Sequence, residues 1–194
     1  MMSRFFVLLT SSSLILLMFG LWIPFKALVA QELLKKAWLD SQAQQTEERP
    51  WPWADTWPVA KLELPELGVS MIVLEGGHGE SLAFGPGRVF GGERGPLILA
   101  GHRDTHFRHL KDVQAGYQVR VQNQNQQWQY YEVTDVSIVD SRTEAIDTHQ
   151  LAQDSVLLIT CYPFDAMDAR GPLRYVVEAR SVSPAVPSST VAIL

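Results

Sequence analysis

The sequence predicts an all-β domain, a sandwich or a barrel of seven or eight short strands, behind one N-terminal apolar helix. Segments rich in β-branched and aromatic residues recur from residue 59 onward, and Gly and Pro separate them. Helical segments do not alternate regularly with these strands, which favours an all-β fold over a parallel α/β sheet. Before them, residues 5–25 carry no charge and match the length of a bilayer-spanning helix.

Residues 1–30 are predicted to be a signal anchor that forms a transmembrane segment. The alternative is a cleaved secretory signal with its site after Leu28-Val29-Ala30. We favour the anchor because the apolar run is long for a signal core and because Leu28 is bulky for a cleavage motif. Basic residues stand on both sides of the run, so the positive-inside rule does not fix its orientation. Either interpretation predicts an exported or membrane-bound chain.

Residues 31–50 are predicted to be a linker, with a helical first part and a polar spacer from residue 41. Residues 49–58 contain three tryptophans and three prolines, which exclude a regular helix. We expect this segment to be extended, with its indoles covering the core of the next domain. The β-domain is assigned to residues 51–181, and residues 182–194 are predicted to be a disordered tail.

The strands of the domain follow in order along the chain. The run at 155–161 is continuously apolar, as expected for a strand buried on both faces. Residues 80–84 are predicted to form one helical turn before a Gly-Pro-Gly sequence. The predicted strands are 59–64, 69–74, 96–101, 117–122, 128–139, 155–161 and 174–179.

Composition excludes several function classes. The net charge of −5 lacks the basic footprint of a general nucleic-acid binder. Cys161 is the only cysteine, so the chain has no internal disulfide and no cysteine-rich zinc or iron–sulfur site. His102, His106 and His109 crowd one loop, but no zinc-binding helix motif accompanies them, so we predict no metal and no cofactor. Cys161 is therefore a core residue, an incidental surface residue or a reactive thiol.

Three residues with acyl-transfer chemistry stand at strand ends. His102 follows the strand at 96–101, Cys161 ends the strand at 155–161, and Arg174 begins the last strand. A thiolate is a nucleophile that needs a nearby base or positive field, and a histidine serves as that base and later as the acid. A fixed guanidinium stabilises an oxyanion on the attacked carbonyl. Spacing alone leaves an inert buried cysteine as the alternative.

The local sequences around these residues resemble the sortase family of cysteine transpeptidases. The resemblance rests on Leu-Ala-Gly-His-Arg-Asp-Thr at 99–105, Leu-Leu-Ile-Thr-Cys at 157–161 and Arg-Tyr-Val-Val at 174–177. The family signature at the cysteine is Thr-Leu-x-Thr-Cys, so Leu157 departs from it. Residues 51–62 and 82–87 are similar to the Gram-negative class, known from marine proteobacteria. The resemblance implies a closed β-barrel of about eight strands with short helices.

The resemblance also implies a mechanism. Cys161 would attack a C-terminal sorting signal of a secreted protein, His102 would act as acid and base, and Arg174 would hold the oxyanion. Thr160 would line the substrate groove, and Arg170 is the rival for the arginine role. The implied partners are the secreted target, an amine acceptor and the membrane, with no nucleic acid. The implied location is the inner membrane, with the catalytic domain on the periplasmic or extracytoplasmic side.

Two other functions stay open at this point. A cysteine hydrolase of the same fold would release the acyl group to water, and it shares all chemistry up to the second nucleophile. A membrane-tethered binding domain would use no catalysis, and Cys161→Ala would leave its function intact.

Overall fold

The β-strands close into a barrel of eight, in the order β1-β2-β3-β4-β7-β8-β6-β5, with β5 paired back to β1. The computed structural model describes residues 2–92, 95–166, 168 and 171–183. The predicted all-β class and closed barrel are confirmed. The strands are β1 (Pro58–Leu64), β2 (Val69–Glu75), β3 (Gly87–Phe90), β4 (Leu97–Ala100), β5 (Gln118–Gln122), β6 (Trp128–Asp140), β7 (Ser155–Cys161) and β8 (Leu173–Ser181).

Strand β3 is absent from the sequence-based prediction. It has four residues, begins at a glycine and ends before two more, so it lacks the length and composition that mark a strand. Its pairing with β2 is parallel and its pairing with β4 is antiparallel. The neighbours, and not its own sequence, therefore place it in the barrel.

Alternate residues of the strands fill the barrel interior. The interior side chains are almost fully buried and mostly Val and Leu, as expected for branched residues on a pleated surface. The connection after β4 closes one end with Phe107 and Leu110, both 0% exposed, and contains a short 3-10 helix (Arg108–Asp112). The interior strand residues include Leu62, Val73, Leu99, Val119, Val133, Val156, Leu158 and Val177.

A second apolar cluster lies on the outer face of β4, β7 and β8, and we call it the outer cluster. Its buried members are Ile98, Leu157 and Val176, and Leu151 from the β6–β7 connection packs against them. Strand β7 is thus buried on both faces, which agrees with its continuous apolar sequence.

Helix α1 (Met2–Gln44) joins the apolar N-terminal run to the barrel without a break. Its apolar part is long and apolar enough to cross a membrane, with a mean hydropathy of 2.0 and 6% of that window buried. The hydroxyls of Thr10 and Ser13 donate to helix carbonyls one turn earlier, as expected for such residues in an apolar span.

The second part of α1 packs on the barrel. Ala30, Leu34 and Trp38 are 8%, 1% and 4% exposed, at the spacing of one helix face. The predicted boundary at residue 30 therefore falls inside a helix, and much of the predicted linker 31–50 is a packed stem. Burial of this stripe explains the difference, because helix stability comes mainly from packing and not from the local composition.

The tryptophan segment and the short helix α2 (Gly79–Phe84) lie together. Trp51 meets the ring of Phe84 edge-on at 4.9 Å between centroids, and Trp57 packs against the barrel core. Trp53 differs from both, since it is 81% exposed and covers no core. The predicted tail is described only to Ser183, and residues 184–194 lie outside the described part of the chain.

Candidate active site

The parallel pairing of β4 with β7 brings His102 and Cys161 to the same end of the sheet. The register pairs Leu97 with Val156 and Ala100 with Ile159, and the amide of Gly101 donates to the carbonyl of Ile159 at 3.1 Å. β4 ends at Ala100, so His102 follows two residues after the last paired position, at the same end of the sheet as Cys161. Neighbouring strands lie about 4.8 Å apart, so both residues lie at the ends of adjacent strands.

Antiparallel pairing of β7 with β8 brings in Arg174. Cys161 and Arg174 are direct partners in the ladder, so their side chains leave the sheet on the same face. That face is the outer one, because residues two apart on a strand share a face. Ile159 lies two residues before Cys161, Val176 lies two residues after Arg174, and both belong to the outer cluster. His102 is exposed, and Cys161 and Arg174 are partly exposed. All three predicted catalytic residues thus lie at the same end of three neighbouring strands, next to the outer cluster.

The structure places Thr160 away from this face, in contrast to its predicted position in the groove. Its side chain is 3% exposed, and its hydroxyl donates to the carbonyl of Gly101 at 2.7 Å. Alternation along β7 turns Thr160 into the barrel when Cys161 points out. The hydroxyl therefore ties the end of β7 to the residue before His102.

The loop that carries His102 is held by close packing. The ring of Phe107 lies directly on Gly101, where a Cβ atom would stand 2.8 Å from two ring carbons. The carbonyl of His102 accepts a hydrogen bond from the amide of Phe107 at 3.0 Å. Gly101 is needed here because the buried ring occupies the space of a side chain.

Arg103 is a site residue that the sequence-based prediction missed. Its side chain is 3% exposed, and it donates to the carbonyls of Pro163 and Ala166, the first at 2.6 Å. These carbonyls belong to the β7–β8 loop that begins after Cys161. Arg103 thus joins the histidine loop to the cysteine loop. The available sequence signal was a positively charged residue directly after the histidine. An arginine at that position is equally typical of a solvent-exposed loop residue.

Aromatic packing supports the same β7–β8 loop from its other side. The rings of Phe164 and Tyr175 meet edge-on at 5.0 Å, and Tyr162 stacks near Tyr175 at 6.2 Å. The backbone directly after Cys161 is therefore fixed to β8, and with it the position of the thiol.

The guanidinium of Arg174 contacts the start of its own strand. Its Nη1 donates to the carbonyls of Gly171 and Leu173 at 2.7 and 2.9 Å. An arginine has five N–H donors in a planar fork, so these two bonds do not exhaust its capacity. Arg170, the rival for this role, lies outside the described residues.

His106 is the titratable neighbour of His102. Burial lowers the pKa of His106, the Ala83 carbonyl that accepts its hydrogen bond partly opposes this, and the nearby His102 lowers it further. His106 therefore favours its neutral form near neutral pH. A neutral His106 places no second positive charge beside His102.

Comparison with known proteins gives one consistent family. A family model described as the sortase domain matches residues 62–182. Sortase D of Bacillus subtilis (strain 168) is 31% identical over 126 residues, which cover 63% of this chain and 63% of that protein. The match thus spans less than two thirds of this curated relative.

Solved structures agree with that match. Sortase C-1 from Actinomyces oris superposes with a TM-score of 0.56 at 27% identity, covering 65% of this chain and 73% of that one. Sortase A from Corynebacterium diphtheriae gives a TM-score of 0.56 at 25% identity, covering 77% and 71%.

Proposed function

The chain belongs to the sortase family, and from that premise we propose that it is a membrane-anchored cysteine transpeptidase with Cys161, His102 and Arg174 as its catalytic residues. One observation carries the assignment of roles. His102 follows the end of β4, and the register of β7 with β8 pairs Cys161 directly with Arg174, so all three residues lie at one end of three neighbouring strands. A nucleophile, an acid–base group and a fixed cation are the parts that acyl transfer requires.

The first half of the reaction forms an acyl-enzyme. The Sγ thiolate of Cys161 attacks the scissile peptide carbonyl, and the resulting oxyanion is held by the guanidinium of Arg174. When the carbon–nitrogen bond breaks, His102 gives its proton to the departing amine. The products are a thioester on Cys161 and a free C-terminal fragment.

The second half transfers the acyl group to an amine. The acceptor nitrogen attacks the thioester carbonyl, and His102 removes the proton that this nitrogen loses. The carbon–sulfur bond breaks, and Cys161 leaves as a thiolate ready for the next cycle. Water in place of the amine would give hydrolysis through the same steps.

The substrate that fits this assignment is a secreted protein with a C-terminal sorting signal. The apolar part of α1 supports a single-pass anchor. The proposal places this anchor in the inner membrane, with the barrel on the extracytoplasmic side. An anchored enzyme and an anchored substrate share one two-dimensional layer, which raises their effective concentration. Assignment to the Gram-negative class stays a prediction that rests on residues 51–62 and 82–87.

Trapping of the acyl-enzyme tests the proposal. The full chain in detergent is mixed with peptides that carry candidate sorting signals, and intact mass reports an adduct. We expect an adduct that Cys161→Ala abolishes, and that an added amine releases as a new amide. His102→Ala and Arg174→Ala should each slow its formation by about 100-fold or more.

Matched controls separate catalysis from general damage. His109→Ala and Arg180→Ala remove the same side-chain types away from the three strand ends, and we expect near-normal rates. An adduct that persists in Cys161→Ala would contradict the assigned nucleophile. Release only as the free carboxylate, even with amine present, would assign a hydrolase instead.

A further inference from the structure

The length of helix α1 sets the distance from the membrane to the barrel, because one continuous helix joins the apolar run to the stem packed on the barrel. Lys26 is the first charged residue after the apolar run, so it marks the edge of the hydrocarbon core. Gln31 lies five positions further along the same helix, about 7.5 Å at a rise of ~1.5 Å per residue. The polar layer outside each side of the hydrocarbon core is about 5–8 Å thick. Gln31 therefore lies at the outer edge of the lipid headgroups or within them.

Gln31 holds helix α2 at that same level. Its Nε2 donates to the carbonyl of Phe84, the last residue of α2, at 2.8 Å. Phe84 contacts Trp51, and Trp53 lines the same surface hollow as these two rings. Trp53 is 81% exposed, although tryptophan carries a large apolar ring surface whose exposure to water is unfavourable. We call residues 51–53 and α2 together the tryptophan surface.

The catalytic end of the barrel lies on the same side as the tryptophan surface. Strand pairing aligns Leu74 with Gly87, Gly87 with Ala100 and Ala100 with Ile159, so the end of β2 that leads into α2 is level with the catalytic strand ends. The placement of the histidine loop agrees with this, since His106 lies near the backbone of Ala83 in α2.

The β5–β6 turn lies far from the membrane. The side chain of Gln45, directly after α1, donates to the carbonyl of Gln124 in the β5–β6 turn at 3.1 Å. Gln45 lies 19 positions beyond Lys26, about 28 Å along the axis if the helical rise continued to it. Helix α1 thus passes from the contact with α2 at Gln31 to the contact with the β5–β6 turn at Gln45, and α2 is the nearer of the two to the bilayer.

We propose that the catalytic end of the barrel faces the bilayer, and that the tryptophan surface rests in the lipid headgroup layer. Tryptophan is enriched at this layer because its ring is apolar and its N–H still finds a polar partner. The occupant of this surface is the lipid from which α1 itself emerges. The inference deepens the proposed function, because Cys161 would then accept scissile bonds only a short distance from a membrane segment of the substrate.

Quenching by lipid tests the contact without relying on catalysis. Trp53→Cys is made in the full chain together with Cys161→Ser, labelled with an environment-sensitive fluorophore and placed in phosphatidylcholine vesicles. Part of the phosphatidylcholine carries a nitroxide on its headgroup. Asn125→Cys, in the exposed β5–β6 turn, is the matched control. We expect loss of most fluorescence at position 53 and little loss at position 125.

Equal quenching at the two positions, or none at either, would overturn the proposal. The labelled protein lacks the Cys161 thiol and the measurement does not depend on turnover, so this result stays separate from the success or failure of the assigned chemistry.

A kinetic comparison uses the active full chain in unlabelled vesicles of the same lipid. Trp53→Ser, at an exposed position outside the catalytic residues, should raise the KM for a membrane-anchored substrate and leave the KM for a soluble peptide unchanged. A change of equal size for both substrates, or no change for either, would contradict the membrane contact.

Discussion

The contact between Gly101 and Phe107 offers a quantitative test of how the histidine loop is held. A Cβ atom at position 101 would lie 2.8 Å from two carbons of the Phe107 ring and 3.2 Å from a third. Phe107 is 0% exposed and cannot swing away without opening the core. Overpacking of this kind costs about 1–3 kcal/mol, so we expect Gly101→Ala to lower the free energy of unfolding by that amount.

Thermal unfolding of the full chain in detergent, followed by near-UV circular dichroism, measures the effect. Each kcal/mol lowers the Tm of a domain of this size by about 3–5 °C, so we expect a fall of roughly 3–15 °C. The acylation rate should fall as well, because the amide of Phe107 binds the carbonyl of His102. Gly92→Ala is the control, since a Cβ there meets nothing within 4 Å.

A double-mutant cycle identifies the clash as the cause. Phe107→Leu alone leaves a cavity, and Gly101→Ala alone overfills the same space. Combined, the two changes should compensate, with a coupling energy of about 1 kcal/mol or more. Strict additivity of the two destabilisations, or a Gly101→Ala protein as stable as Gly92→Ala, would refute the reasoning.

Three further predictions concern residues that support the site. Thr160→Val should lower the free energy of unfolding by about 1–3 kcal/mol and slow acylation, because it leaves the buried Gly101 carbonyl without a donor. Thr160→Ser should restore both the stability and the acylation rate. Equal Tm values and equal rates for the two variants would contradict this prediction. Arg103→Met should lower the free energy of unfolding by about 2–4 kcal/mol and reduce kcat, because two carbonyls of the β7–β8 loop lose their donor. Arg108→Met, at an exposed position, is the control. The same kcat in both variants would refute the supporting role of Arg103. His106 should titrate below its ordinary pKa of 6.5 when followed by NMR, chiefly because it is buried. The unfolded chain then takes up the proton at a higher pH than the folded chain, so Tm should fall as the pH drops below about 6.5. His106→Gln should weaken that fall, and an unchanged pH dependence of Tm in this variant would contradict the prediction.

Much of this molecule follows from local sequence. The continuous apolar run of β7 predicts a strand buried on both faces, and the structure confirms it. The uncharged run at 5–25 predicts a helix that can span a membrane, and α1 contains one. Both patterns are short-range, since strand and helix periodicity are properties of consecutive residues. The motifs at His102 and Cys161 likewise identify the family without any knowledge of distance.

The surroundings of the site depended on pairing between distant segments. Whether Thr160 or Cys161 lies on the face of the outer cluster depends on the register of β7, and a shift by one residue would exchange them. The burial of Arg103 depends on where the β7–β8 loop lies, and the packing of the stem of α1 depends on the barrel surface beside it. The sequence by itself determined the strand-rich domain, the apolar helix and the residue types of the candidate site. Only the tertiary structure decided which side chains face one another, because strand register and loop contacts join residues that no local pattern connects.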